Sequence, residues 1–214
     1  MISSVLFTTG IIFLSLLIFK LIRGLENTVS KLSALIYTLA GSTYILMGYL
    51  NYIGDDTPIR VLRYMDWFIT VPLLVIQMGY FFSGRYNMKR AIPPIILSTV
   101  MLIFGLLGEL NFNQDWSMVT NGQFMNMTHR EFKIVMGMIS VGFMSNLFIS
   151  IARCLTNNHL KLFVKVLLLW CFYPIVYFIP ESVTTILLFS LVDLTAKAGM
   201  GIMFDREYKN KRTS

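Results

Sequence analysis

Residues 187–204 read LLFSLVDLTAKAGMGIMF, an apolar run with one lysine, Lys197, near its middle and one carboxylate, Asp193, four residues earlier. Four residues is just over one helical turn, so on a helix both side chains share a face. An ionisable group at that depth in a membrane costs about 2.5–3.5 kcal/mol on insertion scales and commonly marks a functional site. A lysine taken out of water gives up its proton readily and can condense with an aldehyde to a Schiff base. A neighbouring carboxylate then balances the positive charge. On this segment alone, a structural Lys–Asp pair between helices explains the residues equally well.

The rest of the chain supplies the setting. Of 214 residues, 56% are hydrophobic, and the mean hydropathy is +0.67. That composition belongs to multi-span membrane proteins rather than soluble domains. Seven apolar segments, each near the ~20 residues a bilayer requires, run over residues 3–22, 31–53, 59–82, 91–110, 131–154, 160–180 and 182–204. None alternates as a barrel strand would, so helices are expected. The fold class is an all-α membrane protein, a seven-transmembrane-helix bundle. One domain is expected over residues 1–206, followed by a short basic tail over 207–214. A long amide-rich connection over residues 110–128 holds an Asn126-Met127-Thr128 glycosylation triplet, a weak signal because such triplets arise by chance.

Charge sets the topology. There are 18 Lys and Arg against 11 Asp and Glu, a formal net charge of +7. In a soluble protein that excess suggests nucleic acid; here it lies in short loops, so no nucleic-acid role is expected. Thirteen of the 18 basic residues fall on one side. They are Lys20, Arg23 and Lys31; Arg85, Lys89 and Arg90; Arg153, Lys161 and Lys165; and Arg206, Lys209, Lys211 and Arg212. The opposite side carries Asp55, Asp56, Glu109, Asp115 and Glu181. The positive side should be cytoplasmic, which puts the N-terminus outside and the C-terminus inside, in a cell membrane. Segment 1 has no charge before Lys20 and reads as lipid-facing. Cys154 and Cys171 lack metal-ligand spacing and read as buried thiols. HExxH, P-loop, GxGxxG and GxSxG motifs are all lacking, so neither a metal site nor an enzyme is expected.

Segment 3 contains RYMDWFITVPLLVIQ, residues 63–77. Asp66 and Thr70 are four apart and Asp66 and Gln77 eleven apart, so the three line one face over roughly 16 Å. Arg63 sits one turn outward of Asp66. A polar file inside a membrane helix marks an ion or proton path or an interhelical hydrogen-bonding face. Pro72 permits a kink. In segment 6, Trp170, Tyr173, Pro174 and Tyr177 form an aromatic face, which by itself is ordinary packing. In segment 2, Ala40, Gly41, Ser42, Thr43 and Gly48 favour close helix approach, and Tyr44 reads either as inward-pointing or as an interfacial tyrosine.

The stretches RYMDWFITVPLL, WCFYPIVYF and LVDLTAKAGMG resemble the third, sixth and seventh helices of the microbial (type I) rhodopsins, in order and at matching depth. The resemblance covers the whole seven-helix frame. It implies all-trans retinal on Lys197 as a protonated Schiff base, with Asp66 as primary counterion and proton acceptor and Asp193 as second counterion. It further implies Arg63 as the outer gating arginine and Trp67, Trp170, Tyr173, Pro174 and Tyr177 as pocket walls. Tyr44, Thr70, Leu74, Met101 and Ser140 fall at pocket positions more weakly. The function implied is a light-driven outward proton pump, with protons or other small ions, retinal and the lipid bilayer as partners, and a homo-oligomer as an open expectation. The alternatives are a photosensor that signals through a separate partner, and a light-gated cation channel.

Departures from the family pattern bear on that choice. Gln77 stands where proton pumps of the family usually carry an acidic internal donor. Sodium pumps carry glutamine there, but have Asn and Asp where this chain has Asp66 and Thr70. Chloride pumps lack the Asp66 carboxylate, and the inward-pumping branch often lacks the Asp193 carboxylate. Segment 5 has no tryptophan. Glu181 is the outer release candidate. Glu26 and Asp205 are cytoplasmic-end candidates that read as solvated.

Overall fold

The computed structural model describes residues 2–54, 59–83, 88–110, 129–153, 155, 159–180 and 182–213. Seven helices occupy them: α1 Ile2–Arg23, α2 Thr28–Tyr52, α3 Ile59–Ser83, α4 Met88–Glu109, α5 His129–Ala152, α6 Leu160–Tyr177 and α7 Val183–Thr213. All seven are long and apolar enough to cross a bilayer. The expected boundaries hold to within a few residues except at the C-terminus. There the helix runs nine residues past Phe204, through the stretch expected to be a tail. The cause is local: DREYKNKRT has no Gly or Pro to stop the backbone ladder. At about 1.5 Å per residue, the 31-residue α7 is longer than a bilayer core is thick, so its basic end projects beyond it.

Helix ends follow from residue chemistry. Asn27 caps α2, its side chain accepting from the Ser30 amide at 2.8 Å. Gly24, just past α1, adopts φ +84°, a left-handed conformation that glycine takes without penalty. Pro72 lies inside α3 and leaves the Phe68 carbonyl without its usual amide partner.

Packing follows polarity. Ile18, Ile22, Met65, Ile69, Leu168, Ile175 and Leu191 are exposed, as lipid-facing residues should be. The buried set includes Arg63, Asp66, Thr70, Gln77, Asp193 and Lys197. The interior thus holds these polar groups within an apolar core, and each ionisable group there has to be matched within the bundle. Helices pack on their sequence neighbours, and α7 closes the ring against α1, α2 and α6. The α1–α2 contact is close because it is built on glycines. A Cβ at Gly10 would lie 2.7 Å from Ile45 Cγ1, and one at Gly41 2.9 Å from Leu14 Cδ2.

Two expectations change. Segment 1 is not simply lipid-facing: Leu6, Thr9, Gly10, Phe13 and Lys20 are buried, because α1 covers α2 and α7. Cys171 is a free thiol only partly buried. Cys154, Asp55, Asp56, Asp115, Glu181, the Asn126 triplet and residues 111–128 lie outside the described residues, as does Arg85; the side chains of Lys89, Arg90, Lys209, Lys211 and Arg212 are likewise not described.

Candidate functional site

Lys197 is 1% exposed and sits midway along α7, with Asp193 one turn before it. Its ammonium bonds Asp193 Oδ2 at 2.7 Å and also bonds Asp66 Oδ2 of α3. The sequence placed the lysine and Asp193 on one face; the fold brings Asp66 to the same point across the bundle. A lone charge buried this deeply is costly, and two carboxylates that contact it offset that cost.

The two carboxylates differ in what else they hold. Asp193 Oδ1 accepts from Trp67 Nε1 at 3.0 Å and from the Tyr173 hydroxyl at 2.9 Å. With Lys197 on Oδ2, both of its oxygens are engaged. Asp66 Oδ2 takes Lys197 and, at 3.5 Å, the Thr70 hydroxyl, while Oδ1 has no hydrogen-bond partner. Thr70 also bonds the Asp66 carbonyl at 3.0 Å, which orients it along the helix. Arg63 is buried one turn outward, its guanidinium 4.5 Å from the centre of the Phe189 ring.

Beside this cluster lies a largely apolar cavity with aromatic walls. Trp67, Leu74, Met101, Ser140, Trp170, Tyr173, Pro174 and Tyr177 all line it. These are eight of the side chains singled out from sequence. Trp67 and Tyr173 join the cavity to the charges, since each lines it and each donates to Asp193. The rings of Trp67 and Tyr173 meet edge-on with centroids 5.2 Å apart. Ser140 donates to the Met101 carbonyl at 2.8 Å, pinning α5 to α4. Trp170 Nε1 points at Met200 Sδ, 3.3 Å away. Glycines leave the space open: a Cβ at Gly105 would lie 2.8 Å from the Tyr64 hydroxyl, and one at Gly137 2.5 Å from Tyr177 Cε1.

Other expected residues fall elsewhere. Tyr44 is fully buried, packs on Phe13 with centroids 5.9 Å apart, and lies close to the charges of Asp193, Arg63 and Asp66. Gln77 is buried two turns inward of Thr70. Its amide donates to Ser33 Oγ at 2.5 Å and to the Val29 carbonyl at 3.0 Å, tying α3 to α2. Leu74, between Thr70 and Gln77 on α3, lines the cavity. Asp205 is not simply solvated; it pairs with buried Lys20 at 2.5 Å. Glu109, expected on the outer side at the end of segment 4, is 7% exposed and pairs with Lys133 at 3.0 Å.

Several residues escaped sequence reading. Tyr64 and Phe189 line the cavity, and Trp67 packs against both rings, at 5.1 and 5.7 Å. Both carried a signal: Tyr64 is one turn before Trp67, and Phe189 one turn before Asp193. Ser33 and Lys20 carried none, because their partners are distant in sequence.

Known proteins of the same kind now bear on the site. A family model described as bacteriorhodopsin-like protein matches residues 1–207. The green-light absorbing proteorhodopsin of Gamma-proteobacterium EBAC31A08 is 32% identical over 92 residues, which is 42% of this chain and 36% of that protein. The match therefore spans about a third of that relative's length. The proton pumping rhodopsin AR2 from the marine alga Acetabularia acetabulum superposes with a TM-score of 0.72 at 19% identity, covering 100% of this chain and 93% of that one. Halorhodopsin, a light-driven chloride pump, superposes with a TM-score of 0.73 at 16% identity, covering 99% and 96%. At such identities these structures establish the fold, and pumps of different ions share it. A family match over nearly the whole chain, seven membrane-length helices and a buried lysine held by two carboxylates lead to one conclusion: the chain belongs to the bacteriorhodopsin-like family, the microbial rhodopsins.

Proposed function

We propose that this protein is a light-driven outward proton pump with retinal attached at Lys197 Nζ. The family implies a retinal chromophore, transporters or sensors rather than classical enzymes, and an integral multi-pass membrane protein. The residues present suit that group. A primary amine ends beside an apolar, aromatic-walled cavity. Gly105 and Gly137 keep it open, and an unpartnered carboxylate oxygen faces the amine's charge. Trp67, Leu74, Met101, Trp170, Tyr173 and Tyr177 would hold the polyene. When bound, retinal supplies light absorption and a change of shape that redirects the N–H at Lys197.

The observation that carries the proton reading is the asymmetry of the two carboxylates. A proton arriving at Asp66 Oδ1 displaces no hydrogen bond. Asp193 already accepts from Trp67, Tyr173 and Lys197, and three donors on one carboxylate favour its charged form. Asp66 is therefore the acceptor and Asp193 the fixed anchor. Thr70 keeps the accepting carboxylate aimed at Lys197. Arg63, outward of Asp66, carries the positive charge against which a proton leaves. The basic loops assign the N-terminus and the Arg63 end to the outside, the α7 tail to the cytoplasm, and the protein to a cell membrane. A single seven-helix domain over residues 1–206 suffices for this activity.

A photosensor is the second reading. It is favoured by Gln77, whose amide is held by Ser33 and Val29 and has no titratable proton to return.

The test is the light-induced pH change of cells that express the protein with retinal. Outward proton pumping acidifies the medium, and a protonophore abolishes the signal. A signal that persists or grows with the protonophore identifies transport of another ion. No signal at all, from a coloured protein, favours the sensor.

A further inference from the structure

A second and larger cavity, about 340 Å³, opens between α1, α2 and α7 at the end that the charge pattern assigns to the cytoplasm. It has no part in the retinal site. Buried Lys20 of α1 and Asp205 of α7 meet in its wall at 2.5 Å. Arg23, Glu26, Tyr37, Arg206 and Tyr208 face the same space. Lys20 also lies 5.7 Å from the centre of the Tyr37 ring.

From this cavity a polar line leads inward. Tyr37 is 1% exposed, and its hydroxyl donates to the carbonyl of Ala198, the residue after Lys197, at 3.3 Å. Ser33, one turn before Tyr37 on α2, accepts from Gln77. Gly201 of α7 makes the approach possible, since a Cβ there would clash with the Tyr37 hydroxyl and lie 3.1 Å from Ser33 Oγ. Asp205 is eight residues from Lys197, about 12 Å along α7. A carboxylate thus stands two turns from the Schiff-base lysine, in a cavity wide enough for water, whereas α3 offers only Gln77 on the same side.

On the proton-pump reading, we infer that the α1–α2–α7 vestibule is the proton uptake route and that Asp205 is its proton-collecting carboxylate, held in place by Lys20. Asp205 takes a proton from bulk water, parts from Lys20, and passes that proton inward past Tyr37 to Lys197 Nζ. It then pairs with Lys20 again. Asp205 is ionised before and after, so one proton moves from bulk to Lys197 per cycle and nothing else changes.

Two measurements test this. In retinal-free protein on a Cys154→Ser, Cys171→Ser background, Ser30→Cys should react with a small charged thiosulfonate, because Ser30 lines the vestibule. Leu74→Cys, in the other cavity, should react at least tenfold more slowly. In retinal-loaded protein, Asp205→Asn should slow proton return after a flash about tenfold at every pH, leave the absorption band unmoved, and recover with azide, a small proton carrier. Asp205→Glu should behave as wild type. If Asp205→Asn alone leaves Lys20 uncompensated and prevents folding, the paired Lys20→Met, Asp205→Asn variant removes both charges and should show the same slowing. Unreactive Ser30→Cys, or proton return at the wild-type rate in both variants, overturns the inference while leaving the pump standing. A wild type that takes up no protons in the light sinks the pump reading and this inference together; the labelling result then reports only whether the vestibule is wet.

Discussion

Lys197 contacts carboxylates on two different helices, and the proposed function gives each contact a different job. Lys197→Ala removes the amine and leaves Asp66 and Asp193 facing one another. The variant should be colourless when retinal is added, by visible absorption; a coloured variant with an unmoved band would exclude Lys197 as the attachment point. Asp66→Asn removes the negative charge that has a free oxygen. Its visible band should move to longer wavelength, and proton transport should stop, because an amide cannot take up the proton. Asp193→Asn is expected to act differently. It disturbs the bonds from Trp67 and Tyr173, so its larger effect should be on pigment stability, by roughly 3–5 kcal/mol if one buried charge is left unmatched. Thermal bleaching of the two variants separates these roles.

At the scale of elements, the cavity exists because α4 and α5 present glycines to rings from α3 and α6. Gly105→Val would push against the Tyr64 hydroxyl, which a Cβ at that position would meet at 2.8 Å. Overpacking of this kind costs about 1–3 kcal/mol. Retinal uptake should slow, and the pigment should bleach at a lower temperature than wild type; stopped-flow pigment formation checks the first and a melt the second. On the other half of α3, Gln77 links to α2 through Ser33 and Val29. Gln77→Asp keeps a hydrogen-bonding side chain there but adds a titratable proton. It should shorten the light-induced deprotonated state by supplying a proton from within the bundle.

For the whole molecule, the question is where protons come from and in which direction they go. If the protein pumps protons as proposed, then with no acid on the inner half of α3 the wild type has to draw on bulk protons. Its recovery rate should fall about tenfold per pH unit near neutrality, as a first-order dependence on proton concentration requires. The same measurement on Gln77→Asp should give a flatter profile. A fast, pH-independent recovery in the wild type would mean that an internal donor already exists. The paired charges that close the bundle at its two ends, Lys20–Asp205 and Lys133–Glu109, link α1 to α7 and α4 to α5. Both bridge helices at a bundle end, so their removal should loosen the ends of the bundle before its middle, visible as faster backbone hydrogen exchange there.

Much of this was legible along the chain, for a simple reason. A bilayer demands ~20 apolar residues per crossing and satisfied backbone bonds. Seven helices, the Asp193–Lys197 face, the Asp66–Thr70 turn and the aromatic face of α6 therefore follow from length and from a 3.6-residue period. Those are short-range rules, and the same period carried a signal for Tyr64 and Phe189 that the sequence reading passed over. The tertiary structure alone decided what crosses between helices. It brought Asp66 against Lys197 over a separation of 131 residues, left one oxygen of Asp66 without a partner, turned Gln77 toward α2, and buried Lys20 against Asp205, 185 residues away. None of these has a period to read. Each depends on the rotation of one helix against another, which the close approach of glycines and the burial of charge set in three dimensions.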